Sequence, residues 1–256
     1  MLISFEVGSR KYAADLTRGV SLAIPLRFDG PQPNFFGVTP ATAKPMQSGG
    51  FVGDVRKGGS CNVWSYAFTP HCNGTHTECI GHMVEEPVYI AERLLPVPVP
   101  ATLVTLSPKD LLIDATALQA ALLRHTNPGF HRALILRTLP NGEDKLTRKY
   151  QGATPAAYLG VDAATFLVKA GVEHLLLDGP SLDPAEDEGR MAAHRVFWGM
   201  PASGHKLSEV RRPQATVTEM IYVPDSVKDG YYLLDLQIPA FMTDAAPSRP
   251  VIYPVG

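Results

Sequence analysis

Between residues 103 and 177 the chain alternates short apolar runs with stretches of helical composition, a pattern that predicts β-α-β units. Residues 103–106 read as a strand and 115–123 (ATALQAALL) as a helix ended by Asn127-Pro128-Gly129. Residues 133–138 (ALILRT) form a continuous apolar run, as a strand covered on both faces requires. Residues 162–170 predict a helix closed by Gly171, and 174–177 a strand entering the loop DGPSLDP. Residues 184–198 predict a further helix, acidic at its start and basic at Arg195, the charge order the helix dipole favours. The front of the chain reads as β: residues 3–7 and 11–16 around Gly8-Ser9, a short run at 21–27 interrupted by Pro25, and a second hairpin of 51–55 with 61–68 around RKGGS. Residues 217–223 and 231–237 read as a closing hairpin or adjacent strands. The expectation is a mixed α/β domain. With no repeat, low-complexity tract or evident linker in 256 residues, a single domain over 1–256 is expected.

Composition narrows the function classes. A net charge of −2 gives no basic surplus for a nucleic acid. No run approaches the ~18 apolar residues of a membrane span, and the start lacks the pattern of a signal peptide. Three cysteines, an odd and sparse count, fit reduced thiols better than a disulfide framework. The expected setting is therefore cytoplasmic, with no nucleic-acid or membrane partner.

Chemistry concentrates in PHCNGTHTECIGHM. His71, His76 and His82 fall within residues 71–82, where uniform scatter of eight histidines would place roughly 0.4. Cys72, Cys79 and Glu78 share the window, so imidazole, thiolate and carboxylate, the ligands of divalent transition metals, stand together. Cys72, Gly74, His76 and Glu78 share parity, and in an extended segment alternate residues lie ~6.6 Å apart on one face. A helix would also bring Cys72 and His76 together, but Asn73, Gly74 and Thr75 are poor helix formers. His71 has the opposite parity and is expected to be packed or solvated; Cys61 and Cys79 are expected to be small core residues.

This stretch resembles the central motif of the cyclase family of metal-dependent hydrolases, which includes bacterial kynurenine formamidase and isatin hydrolase. That motif reads His-x-Gly-Thr-His-x-Asp-x-Pro-x-His. Gly74, Thr75, His76 and His82 match it, whereas Cys72 stands at the first ligand position, Glu78 at the acidic one and Ile80 at the proline. Asp15-Leu16-Thr17, the loop from Asp178 to Asp183, His194 and Thr218-Glu219-Met220 resemble further family segments, with an extra loop expected around 195–215.

The resemblance implies an α/β fold of the swivelling β/β/α type, with a mixed β-sheet. It implies a metal held by Cys72, His76, Glu78, His194 and Glu219, and His82 as general acid/base. The implied reaction is hydrolysis of a formamide, cyclic amide or lactone by metal-bound hydroxide, on a small-molecule substrate, by a homodimer or homotetramer. A thiolate ligand favours zinc over manganese. Two alternatives for position 72 stay open: His71 substitutes through a local bulge, or Cys72 is a nucleophile with His76 or His82 as base. A binding protein that has lost activity is the rival reading, and the absence of a Gly-x-Ser-x-Gly elbow counts against a serine hydrolase. Phe35, Phe36, Trp64 and Trp198 are candidate aromatic walls.

Overall fold

The computed structural model describes residues 1–151 and 156–256. One nine-stranded mixed sheet organises the chain. Its strands are β1 (Val20–Ser21), β2 (His76–Glu78), β3 (Val99–Leu106), β4 (Ala133–Thr138), β5 (His174–Leu177), β6 (Thr216–Glu219), β7 (Gly230–Gln237), β8 (Ala245–Pro247) and β9 (Arg249–Pro254). They run in the order β8-β2-β6-β5-β4-β3-β7-β9-β1. The four central strands β6, β5, β4 and β3 are parallel, and antiparallel strands extend both sides.

The helices are α1 (Pro70–Asn73), α2 (Ile90–Arg93), α3 (Ala115–Leu122), α4 (Val161–Lys169) and α5 (Ala192–Trp198). The last three are the crossovers between parallel strands, as β-α-β units demand. They cover one face: Leu118, Leu167 and Phe197 share a core with Leu134, Leu136 and Leu175. Ala133, Ile135 and Leu176 point to the other face, into a second core with Leu22, Leu234 and Ile252. Both faces of β4 are buried, so ALILR shows no polar alternation. Among the described residues, no helix is long and apolar enough to cross a membrane.

Four expectations need correction. The 51–55 and 61–68 runs do not form one hairpin: Phe51–Val52 pairs with Gln47–Ser48, and Trp64–Ala67 with Thr42–Pro45. Asp54 accepts from Arg56 N and starts a 3-10 turn at Val55–Lys57, which ends the first ladder. The helix expected over 184–198 is confined to α5. Asp187 accepts from Gly189 N and Met191 N, and Glu188 and Met191 take positive φ, so the acidic half is a loop. Strands β6 and β7 are not neighbours, because β6 extends the parallel set beside β5 while β7 lies between β3 and β9. Finally, residues 72–78 are not one extended segment. Pro70 opens a helical turn, and the Asn73 side chain accepts from Thr69 N at 2.6 Å. Extended structure starts only beyond it, so parity does not relate Cys72 to His76.

Candidate metal and catalytic site

Strand register assembles the first donors. His76 and Glu78 point to the same side of β2, and β6 pairs Glu219 directly with His76. Thr75 locks the entry to β2: its hydroxyl donates to Met220 O at 2.5 Å and accepts from Ile24 N at 2.8 Å. His194 arrives from α5. The Asp183 carboxylate receives Ala193 N at 2.6 Å and His194 N at 3.2 Å, capping the helix start, and lies 2.5 Å from His194 Nδ1. The 3-10 turn Ile80–His82 brings His82 round beside His71, their rings stacked 4.3 Å apart.

Four imidazoles converge here, and each has its outer nitrogen beside an acceptor. His76 Nδ1 lies 3.0 Å from Gly74 O, His194 Nδ1 2.5 Å from Asp183, His71 Nε2 2.8 Å from Asp244 and His82 Nδ1 3.5 Å from Asp244. Each inner nitrogen faces a carboxylate. His71 Nδ1 and His82 Nε2 lie 3.0 and 3.9 Å from Glu78 Oε2. His194 Nε2 lies 3.2 Å from Glu78 Oε1 and 3.6 Å from Glu219 Oε1, and His76 Nε2 lies 3.4 Å from Glu219 Oε2. Within this set Glu78, His194 and Glu219 bring donor atoms within 4.8 Å of one another, as do His71, His76 and Glu78. His71, His82 and Asp244 form a third such group.

Glu78 is 1% exposed and Glu219 4%, so two carboxylates are held out of water side by side. Burial opposes the charge on Glu78, but the charge of His82 and hydrogen bonds from His194 and His71 hold its carboxyl well below the usual range. Burial opposes protonation of His71, yet its bonds to Asp244 and Glu78 prevail and raise it to about 10. His194 rises in the same way, against burial, through Asp183, Glu219 and Glu78. The cluster demands positive charge. The buried His76 Nε2 has no hydrogen-bond partner. An orphaned nitrogen aimed at a buried carboxylate, beside further imidazole and carboxylate donors, fits a divalent cation.

Cys72 lines the pocket, but its Sγ belongs to none of the donor groups. It packs with Ile24, Phe35, Tyr150 and Met220, and burial together with the charge of Glu219 raises its thiol, the opposite of what an activated nucleophile requires. Asp15 lies elsewhere, half-buried, accepting from Thr17 N at the start of a 3-10 turn. Cys79 is a core residue as expected, but Cys61 is exposed and does not join the core. Phe35 and Phe36 line the pocket, of about 260 Å³, and also an adjoining one of about 430 Å³. Trp198 is core, behind His194 at 5.4 Å, and Trp64 sits under the Arg56 guanidinium, outside both pockets. Sequence reasoning ranked His71 behind Cys72 as the first ligand, left Asp183 without a role and passed over Asp244 entirely. The composition around Asp244 carries no signal for it.

A family model described as "Putative cyclase" matches residues 15–184. A kynurenine formamidase of Bacillus cytotoxicus is 30% identical over 199 residues, covering 77% of this chain and 82% of that protein. An isatin hydrolase bound to the product analogue thioisatinate superposes with a TM-score of 0.64 at 14% identity, covering 92% of each chain. A "predicted metal-dependent hydrolase" of Bacillus stearothermophilus superposes with a TM-score of 0.61 at 15% identity, over 92% of this chain and 97% of that one. Such distant structural likenesses show a shared fold.

Proposed function

The chain belongs to the cyclase family and is a hydrolase, and on that premise we propose that it is a metal-dependent enzyme that opens a formamide, cyclic amide or lactone. The observation that carries this reading is the common orientation of the four imidazoles, with outer nitrogens at acceptors and inner nitrogens toward Glu78 and Glu219. That is how a protein presents imidazole lone pairs to an ion. His76, Glu78, His194 and Glu219 are the residues that would hold it. These donors are nitrogen and oxygen, so without Cys72 the preference for zinc over manganese loses its basis. When bound, a divalent ion polarises a carbonyl and lowers the pKa of water toward ~7.

The chain's own residues then account for proton movement and substrate position. His82 is partly exposed, lines the pocket and lies beside Glu78, where an imidazole can take a proton from attacking water and return it to the leaving group. Phe35 and Phe36 offer an apolar wall to a small-molecule substrate. The test is a panel of N-formyl arylamines, cyclic amides and lactones offered to zinc- and manganese-loaded protein. Turnover of at least one class is expected. Metal-loaded protein that binds members of the panel without turning any over would favour the rival reading, a binding protein on the same fold.

A further inference from the structure

The geometry points to Asp244 as a positioning residue that recruits His71 as a metal ligand, at the place the family motif gives to residue 72. The inference rests on the metal-site reading above. One oxygen, Asp244 Oδ2, lies 2.8 Å from His71 Nε2 and 3.5 Å from His82 Nδ1. The two rings stack 4.3 Å apart at 29°, so a single carboxylate steers both. With Nε2–H donated to Asp244, the nitrogen that His71 turns toward a cation is Nδ1, the atom 3.0 Å from Glu78 Oε2. The same helical turn that packs Cys72 with Ile24, Phe35, Tyr150 and Met220 gives His71 to the carboxylates.

Asp244 is 39% exposed, but its backbone is pinned. Cys79 N donates to Asp244 O at 3.0 Å, Ile90 N donates to Thr243 O at 2.8 Å, and Ala245 pairs with Glu78. Gly81 permits the approach. A Cβ at residue 81 would meet Val88 O at 2.2 Å and Asp244 Cβ at 3.1 Å.

The experiment titrates chelator-stripped protein with zinc and with manganese against a chromophoric competitor. Wild type, Asp244→Ala, His71→Ala, their double variant and Cys72→Ala are compared, with a melting curve of each metal-free protein. Asp244→Ala is expected to weaken binding by ~10–100-fold. His71→Ala should weaken it at least as much, and the double variant should bind no worse than His71→Ala, because Asp244 acts through that ring. Cys72→Ala should bind as wild type does. Wild-type affinity in Asp244→Ala or His71→Ala overturns the inference, as does full additivity in the double variant or loss of binding in Cys72→Ala. Wild-type protein that takes up neither ion overturns the underlying metal reading instead, a distinct result.

Discussion

Asp178 and Asp183 lie in the same loop after β5, and their surroundings differ in kind. Asp178 belongs to a closed network. It accepts from Thr138 N at 2.7 Å, from Thr138 Oγ1 at 2.8 Å and from Lys145 Nζ at 2.7 Å. The ammonium also donates to Thr138 O at 2.7 Å and approaches Asn141 Oδ1 at 3.3 Å. One permanent cation meets one anion, and neighbouring groups satisfy the rest. Asp183 instead holds His194, whose other nitrogen opens onto Glu78 and Glu219. No lysine or arginine is paired with these carboxylates among the described residues, and His76 Nε2 has no partner. A buried polar network completed by its own residues serves the fold; one left wanting a positive charge is suited to receive a cation.

The largest effect should separate the two clusters by chemistry. His82→Ala is expected to lower kcat by ~10²–10⁴ while metal content stays nearly unchanged. Metal lost together with activity would make His82 a ligand and assign its role wrongly. On the closed side, Lys145→Met leaves Asp178 buried without its cation, which costs roughly 3–5 kcal/mol and lowers Tm by about 10 °C. Metal uptake by the folded protein should not change. An unaltered Tm would show that the network contributes little to stability.

The smallest effect lies at the opposite end of β5, where His174 is buried with Thr216 Oγ1 at 2.9 Å from Nδ1. Burial, helped by the charge of Arg132, pushes this imidazole down to about 4, whereas carboxylates push His71 up. The depressed value means that the unfolded chain takes the proton first. Stability is therefore full above ~6.5 and is lost as pH falls toward 4, by up to ~3 kcal/mol. Denaturant melts at pH 6.5 and 4 should show wild type losing more stability than His174→Asn; equal losses would contradict the assignment.

Much of the scaffold was legible because local pattern and burial agree. Strands β4 and β5 lie where the apolar runs 133–138 and 174–177 predict, and α3 and α4 fit their sequence boundaries to within a residue. The candidate donors were likewise visible, His76 and Glu78 through the central motif and His194 and Glu219 through further segments that resemble the family. Failures came where side chains captured the backbone. Asp187 broke the long helix, and Asn73 with Pro70 built a turn that the poor helix propensity of Asn73-Gly74-Thr75 argued against. That turn is why His71, and not Cys72, falls in the groups of converging candidate donor atoms. Asp244 could not be read at all. It lies 173 residues from His71 and reaches it only through the pairing of β8 with β2.

The central claim is that the open cluster holds a divalent ion. The most direct measurement is elemental analysis of protein purified without chelator, joined to melting curves before and after chelation and re-addition of zinc or manganese. The account predicts at least one ion per chain. An ion at about 100 times its Kd adds ~2.7 kcal/mol, so re-addition should raise Tm by roughly 5–10 °C. Well under one ion per chain, with no shift on adding either metal, would contradict it.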